Sequence, residues 1–457
     1  MKFVDKDLKA IQEARVLMEE AAEAVKILSY FNSEQLDAIV CEMLDTVQPH
    51  LAHLTQAAAE ETGFGCPEDD ARMCGLLVKR MKETYAELHC VGVLSQDENK
   101  GLIEIGVPMG IVAAVVPAVN TVSAVICAAA AAIKAGNAIV FSPNPKAARV
   151  TWQTVQILNS AAEEAGLPEG ALACMETAAV EGAMQLFAHS DAAVILNIGE
   201  PELLKAAAGS GKPVLFGGIT PGPAFIERTA NVAQAAENVV ESRSFNYGIG
   251  AGSEQFLVVE KEIAQQVREE MTRRGAYFMN AEEQKKLTKL LGLDVPFGKP
   301  DEAYLGKSAK WLSGKAGFWV PEGTKLLVSE QEYITDYNAY ARGLMCPVMV
   351  FYIEQDWIHA CEKCIEILLG ESNGNTLTIH SGDPKIIQRF AMEKPVGRVL
   401  INTPAVMGAM GLTTELCPSA GMGSMTAGQG ITADNISPLN LIYRRKAAFG
   451  MRNIPTE

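Results

Sequence analysis

The chain has 457 residues, 48% of them hydrophobic and 21% charged, with a net charge of −16. That length implies two or three domains with large cores. A surface this acidic repels phosphate backbones and anionic lipid, which argues against nucleic acid and membranes as partners. The ten cysteines are scattered through a chain with no signal-peptide pattern, and they fit a reducing, cytoplasmic setting better than a disulfide framework.

The N-terminal third reads as helices. Residues 7–28 carry Leu8, Ile11, Ala14, Leu17 and Met18 at helical spacing. Ser33 with Gln35 marks a second helix start, and a third long helix is expected from Pro67 to about Leu88. Residues 109–133 hold no charge, a run of about 25 that could span a bilayer. Pro117 and Asn120 interrupt it. The reading is a buried strand at 111–116, a polar turn, and a buried helix at 122–135.

From residue 104 onward, short apolar runs alternate with Ala-rich helices. Strands are expected at 111–116, 138–142, 172–175, 193–196 and 214–216, with Pro145 and Lys146 opening the helix after the second. This is the pattern of a parallel sheet covered on both faces. A second α/β block follows Gly252, with strands at 255–259, 325–328, 347–352, 376–379 and 398–401 and helices at 261–274 and 357–369. Residues 403–434, rich in Gly, Ser, Thr and Met, read as a long ordered loop. A last strand is expected at 439–443. Cys361 and Cys364 form a lone C-x-x-C on the helix at 357–369. With no second pair or histidine cluster they read as packed thiols, so no metal site is expected.

Five short motifs carry a resemblance. They are S-R-S-F-N-Y-G-I-G-A-G-S-E-Q (Ser242 to Gln255), V-P-A-V-N-T-V-S (Val116 to Ser123), F-S-P-N-P-K-A (Phe141 to Ala147), G-G-I-T-P-G-P-A-F-I (Gly217 to Ile226) and E-E-T-G-F-G (Glu60 to Gly65). Together with V-P-E-G-T-K (Val320 to Lys325) they resemble the CoA-acylating aldehyde dehydrogenases, over nearly the whole chain. The resemblance implies an aldehyde dehydrogenase-like α/β fold: two parallel-sheet domains plus a small oligomerisation arm. The divisions read are a nucleotide-binding domain at 1–241, a catalytic domain at 242–425, and a C-terminal oligomerisation strand and tail at 426–457.

The same resemblance implies the site. Counted back from Ser253, Glu254 and Gln255, the family's nucleophilic cysteine falls on Ala251. Asn120 takes the place of the oxyanion-hole amide, a role that needs a donor fixed in advance. Ser142, Pro143, Asn144 and Pro145 are implied to border the site for NAD or NADP, shared with coenzyme A as co-substrate, and Gly199, Gly217, Gly222 and Gly343 are the other implied cofactor positions. In the family, the aldehyde becomes a thiohemiacetal on cysteine, hydride leaves, and CoA releases the acyl group from a thioester. A methyl group cannot begin that sequence.

Three more positions depart from the pattern. The family histidine of G-H-T is Asn375, which cannot act as a base near neutral pH. A glutamate that grips the nicotinamide ribose in many members is Gly343, and another family histidine is Asn144. An engineered Cys→Ala change accounts for Ala251 alone; a natural paralogue that lost acyl transfer accounts for Ala251, Gly343 and Asn375 together. The expectation is a chain of acylating aldehyde dehydrogenase type, inactive in this form. The alternative is a non-catalytic paralogue that binds nucleotide or CoA, or assembles with an active homologue. A homodimer or homotetramer in the bacterial cytoplasm is implied. Microcompartment packaging is not supported, because only about ten residues precede the family's first helix.

Overall fold

The computed structural model describes residues 5–218, 221–294, 300–334, 340, 343–370, 376–423 and 430–452. Four helices come first: α1 (Lys6–Leu28), α2 (Ser33–Val47), α3 (Leu51–Thr62) and α4 (Pro67–Ala86). In α1, Ala10, Ala14, Met18, Ala21 and Ala24 are buried at spacings of three and four, the stripe of an amphipathic helix. A capping box fixes the start of α2: Gln35 N donates to Asn32 Oδ1 at 2.9 Å, and Asn32 N donates to Gln35 Oε1 at 3.1 Å.

The chain then makes an antiparallel pair, β1 (Gly92–Asp97) and β2 (Leu102–Pro108), before entering the first large sheet. That sheet holds β3 (Ile111–Val115), β4 (Ala138–Ser142), β5 (Leu172–Cys174), β6 (Ala192–Ile198) and β7 (Val214–Gly217) in the order β5-β4-β3-β6-β7, all parallel. Every residue of β3 and β4 is buried, as a strand covered on both faces requires. The connecting helices include α5 (Thr121–Lys134), α6 (Ala148–Glu164), α7 (Val180–Ala188) and α8 (Pro201–Gly209). All of α5 is buried, which explains the uncharged run at 109–133. Among the described residues no helix is long and apolar enough to cross a membrane.

The second sheet is seven-stranded. Its strands are β8 (Gly222–Ile226), β9 (Glu254–Glu260), β10 (Ala276–Phe278), β11 (Leu326–Glu330), β12 (Val348–Glu354), β13 (Thr376–His380) and β14 (Arg398–Ile401). They run parallel in the order β10-β11-β12-β9-β8-β13-β14. This sheet takes β8 from upstream of the boundary read at residue 241, and the helix α9 (Val232–Ser244) that follows it straddles that boundary. The last strand, β15 (Ile442–Ala448), pairs antiparallel with β2 and completes a three-stranded arm.

Several elements differ from the sequence reading. The expected strand at 439–443 is a 3-10 turn at Pro438–Leu441 followed by β15. The segment at 403–434 contains a short buried helix, Ala405–Ala409. Helix α6 begins at Ala148, not at Pro145. The reason is electrostatic and local. The Glu61 carboxylate accepts from Arg149 N and Val150 N, both at 2.9 Å, which caps the helix there. Asn144 Oδ1 accepts from Lys146 N at 2.9 Å, which holds residues 144–146 in a turn.

Candidate active site

Residues from both sheets meet at the segment between α9 and β9. Asn120 lies past the C-terminal end of β3, at the N-cap of α5. The segment 245–253 leads into the N-terminal end of β9. Asn120 Nδ2 donates to Ile249 O at 2.8 Å, and Asn120 Oδ1 accepts from Asn246 Nδ2 at 3.0 Å. Asn246 is held in turn from α4, since its N donates to Asp69 Oδ2 at 2.9 Å and its Oδ1 accepts from Cys66 N at 2.6 Å. The structure therefore bonds Asn120 to Ile249, two residues before Ala251.

This segment is strained and tightly packed. Asn120, Asn246 and Tyr247 all hold left-handed backbone, with φ of 51°, 48° and 51°. Such values in non-glycine residues cost free energy and persist only where the surroundings hold them. Gly248 has φ of 78°, and a Cβ there would lie 2.5 Å from the carbonyl carbon of Cys346. Ala251 is 5% exposed and belongs to a core cluster with Val406, Ala409 and Met422.

The S-E-Q residues and Arg243 anchor the segment from below. Arg243 is 1% exposed. Its Nε donates to Val348 O at 2.9 Å, and its terminal nitrogens donate to Leu344 O at 2.6 Å and Ser253 Oγ at 3.2 Å. Gln255 Oε1 accepts from Leu344 N at 2.6 Å, and Gln255 Nε2 donates to Tyr340 O at 3.0 Å. Glu254 accepts from Ser242 Oγ, and burial pushes its carboxyl up to about 8. Arg243 was not singled out in the sequence, where an arginine at the end of a helix reads as solvated. Only its burial against 344–348 reveals its work.

Two thiols flank the segment. Burial pushes the Cys346 thiol up to about 11. Cys66 Sγ donates to Glu68 Oε2 at 3.2 Å, and burial first, opposed by a backbone hydrogen bond, holds its thiol above the ordinary range. A small cavity beside Asn120 is walled by Thr55, Ala58, Cys66, Asp70 and Asn246. Burial lifts the Asp70 carboxyl in that wall to about 7. A wider cleft of about 900 Å³ opens beside Tyr247, with Arg72, Arg273, Arg274 and Lys325 in its walls.

The expected nucleotide rim lies at the C-terminal ends of β4 and β6. Ser142 and Pro143 are buried, Asn144 is half-buried and Pro145 is exposed. Gly199 follows β6, and its N donates to Gly217 O at 2.8 Å. The strand order reverses between β3 and β6, the position where open α/β sheets hold ligands. Glu200, not predicted from sequence, accepts from Asn144 Nδ2 at 2.9 Å and so joins the two edges. Gly222 and Gly343 form a separate group on the second sheet. A Cβ on Gly343 would sit 3.6 Å from Pro221 Cδ, and one on Gly222 would collide with Thr376 O. Asn375 lies outside the described residues. Among the described residues no group of three or more His, Cys, Asp or Glu could hold a metal ion.

Residues 6–286 match the aldehyde dehydrogenase family. The crystal structure of a probable aldehyde dehydrogenase from Listeria monocytogenes EGD-e is 38% identical, with a TM-score of 0.94 and 99% of each chain covered. That of an acetylating aldehyde dehydrogenase from Geobacillus thermoglucosidasius is 34% identical, with a TM-score of 0.95 and 100% of each chain covered. Aldehyde-alcohol dehydrogenase 2 of Entamoeba histolytica is 31% identical over 93% of this chain, which spans 50% of that relative's length. The fold, the family match and these likenesses agree that the chain belongs to the aldehyde dehydrogenase family.

Proposed function

We propose that the chain is a CoA-acylating aldehyde dehydrogenase scaffold with Ala251 at the nucleophile position. It holds aldehyde and nucleotide but does not carry out covalent acyl transfer. The observation that supports this reading best is the bond from Asn120 to Ile249 O at 2.8 Å. It ties the end of β3, where the amide stands, to the segment that carries Ala251. The likeness to the acetylating relative from Geobacillus thermoglucosidasius points to acyl transfer as the parent activity.

Each residue then has a role. One N–H of the Asn120 amide is committed to Ile249 O. An amide nitrogen carries two, and the second is the donor for a substrate oxygen. Asn246 and Asp69 position that amide, and Arg243, Glu254 and Gln255 hold the strand behind it. A bound NAD or NADP would supply the hydride acceptor, and coenzyme A the acyl acceptor. Ala251 offers no lone pair. Cys66 and Cys346 are held above the neutral range, so neither supplies a thiolate in its place.

A second reading is a natural paralogue that binds nucleotide or CoA, or assembles with an active homologue, as a homodimer or homotetramer in the cytoplasm. The glycine at 343 favours it, because a Cβ there meets only ordinary contacts at 3.6 Å, so packing alone does not demand glycine. Calorimetry with NAD+, NADP+ and CoA, beside an NADH assay over a panel of short aldehydes, tests both readings. Binding without turnover is expected. Turnover by the unmodified chain would contradict them.

A further inference from the structure

The C-x-x-C pair lies on the helix Trp357–Leu369, and the structure gives its two sulfurs different surroundings. Cys364 is fully buried in the apolar core over the second sheet, and burial pushes its thiol up to about 12. Cys361 stands one turn earlier, against the end of the helix Pro384–Glu393. Its Sγ donates to Glu393 Oε2 at 3.8 Å, and it accepts from Nζ of Lys394, the residue that ends that helix. The Glu393 side chain is 42% exposed, so this edge of the pair borders water. Lys394 is 7% exposed. Its Nζ lies 4.2 Å from the centroid of the Phe390 ring, which stacks on Phe225 at 5.0 Å. Among the described residues, the Cys361 sulfur is the only hydrogen-bond partner of that nitrogen. A buried amino group is costly unless well partnered, and a thiol is a weak acceptor. Methionine would fill the same space at lower cost, so packing does not account for the lysine.

Chemistry does account for it. A sulfenic acid formed on a cysteine condenses with a nearby thiol or nitrogen. A nitrogen already held against the sulfur reacts at high effective concentration. We propose that Cys361 and Lys394 form a modification site for peroxides, in which the oxidised sulfur is trapped by the lysine nitrogen. In the first step the peroxide O–O bond breaks, sulfur gains one oxygen and loses two electrons, and one water leaves. In the second the nitrogen attacks sulfur, the S–N bond forms as the S–O bond breaks, and a second water leaves. The surplus proton of the ammonium passes through the Glu393 carboxylate to solvent. Cys364 is the competing trap, and its raised thiol makes it the slower one, because only the thiolate attacks. The new bond joins the helix that follows β12 to the helix that follows β13, and both pack on one face of the second sheet. The site shares no residue with the segment at 245–253 and does not rest on the activity proposed above.

Peptide mass mapping of the full chain after brief exposure to hydrogen peroxide tests it, on the unmodified chain, Cys364→Ala and Lys394→Met. The unmodified chain is expected to yield the peptides of Cys361 and Lys394 joined, lighter by two hydrogens than their sum, and separated again by dithiothreitol. Cys364→Ala is expected to keep that cross-link. Lys394→Met is expected to lose it and to leave Cys361 as a sulfinic acid or bridged to Cys364. A Cys361–Cys364 disulfide as the main product of the unmodified chain would overturn the proposal. So would a Cys361 recovered as free thiol, or only as sulfinic acid, at a dose that oxidises the exposed Cys41. If Lys394→Met does not fold, the product mapped in the unmodified chain and in Cys364→Ala decides alone: a cross-link absent from both overturns it.

Discussion

Asn246 donates through Nδ2 to Asn120 Oδ1 at 3.0 Å, and both residues hold left-handed backbone. Two strained turns from distant parts of the chain therefore support each other. Asn120→Ala removes the donor to Ile249 and the acceptor for Asn246, and it places alanine where φ is 51°. A loss of about 2 kcal/mol or more is expected. Denaturant titration reads this as a lower midpoint. An unchanged midpoint would show that the pair contributes nothing to stability.

Arg243→Met is expected to be more severe. It leaves Val348 O, Leu344 O and Ser253 Oγ without their donor in a site that is 1% exposed. The expected cost is about 3 kcal/mol or more. Arg243→Lys should recover only part, because an ammonium cannot reach three acceptors in a plane. Thermal melts of the two variants rank them.

Gly248→Ala tests the close approach to Cys346. The added methyl meets a carbonyl carbon 2.5 Å away at a φ of 78°, so segment 246–252 must shift. Destabilisation of about 1–3 kcal/mol is expected. A crystal structure of the variant with an unmoved segment would contradict the packing described.

The buried Glu254 carboxyl gives a pH dependence with a definite sign. Its folded value is about 8 against an ordinary 4.5. Between those values the folded chain holds a proton that the unfolded chain has released. Stability therefore falls as pH rises from about 4.5 to about 8, then levels. Glu254→Gln should reduce that slope, to which the raised carboxyls of Asp70 and Glu200 add in the same direction up to about pH 7. His380 acts at the acid end. Burial lowers it to about 4 from 6.5, so the unfolded chain takes the proton first, and stability falls as pH drops from 6.5 towards 4. The two slopes oppose each other between about 4.5 and 6.5, so unfolding midpoints measured from pH 4 to 9 on the unmodified chain and on Glu254→Gln separate them, the variant losing the fall attributed to Glu254 and keeping the one attributed to His380.

Much of the fold was legible because the strands of the first sheet are continuous apolar runs. Ile111–Val115 and Ala138–Ser142 are buried throughout, as strands of a covered parallel sheet are. Less legible were β1 and β2, whose mixed burial gives no alternation, and β8, where G-P-A-F-I reads as a turn until a neighbour approaches it. Ala251, Asn120 and the 142–145 turn enter the candidate site only through resemblance. Glu61, Asp69, Glu200 and Arg243 were not legible as site residues, since a charged side chain reads as solvated until the fold brings its partner. Glu61 shows the reason: its carboxylate caps a helix that begins 87 residues later in the chain.

The most direct measurement is NADH formation by Ala251→Cys with short aldehydes, CoA and NAD+, beside the unmodified chain. The account predicts activity that appears only with the cysteine and only when CoA is present for repeated turnover. A folded Ala251→Cys chain that stays silent over the whole aldehyde panel, or an unmodified chain already turning over, would contradict it.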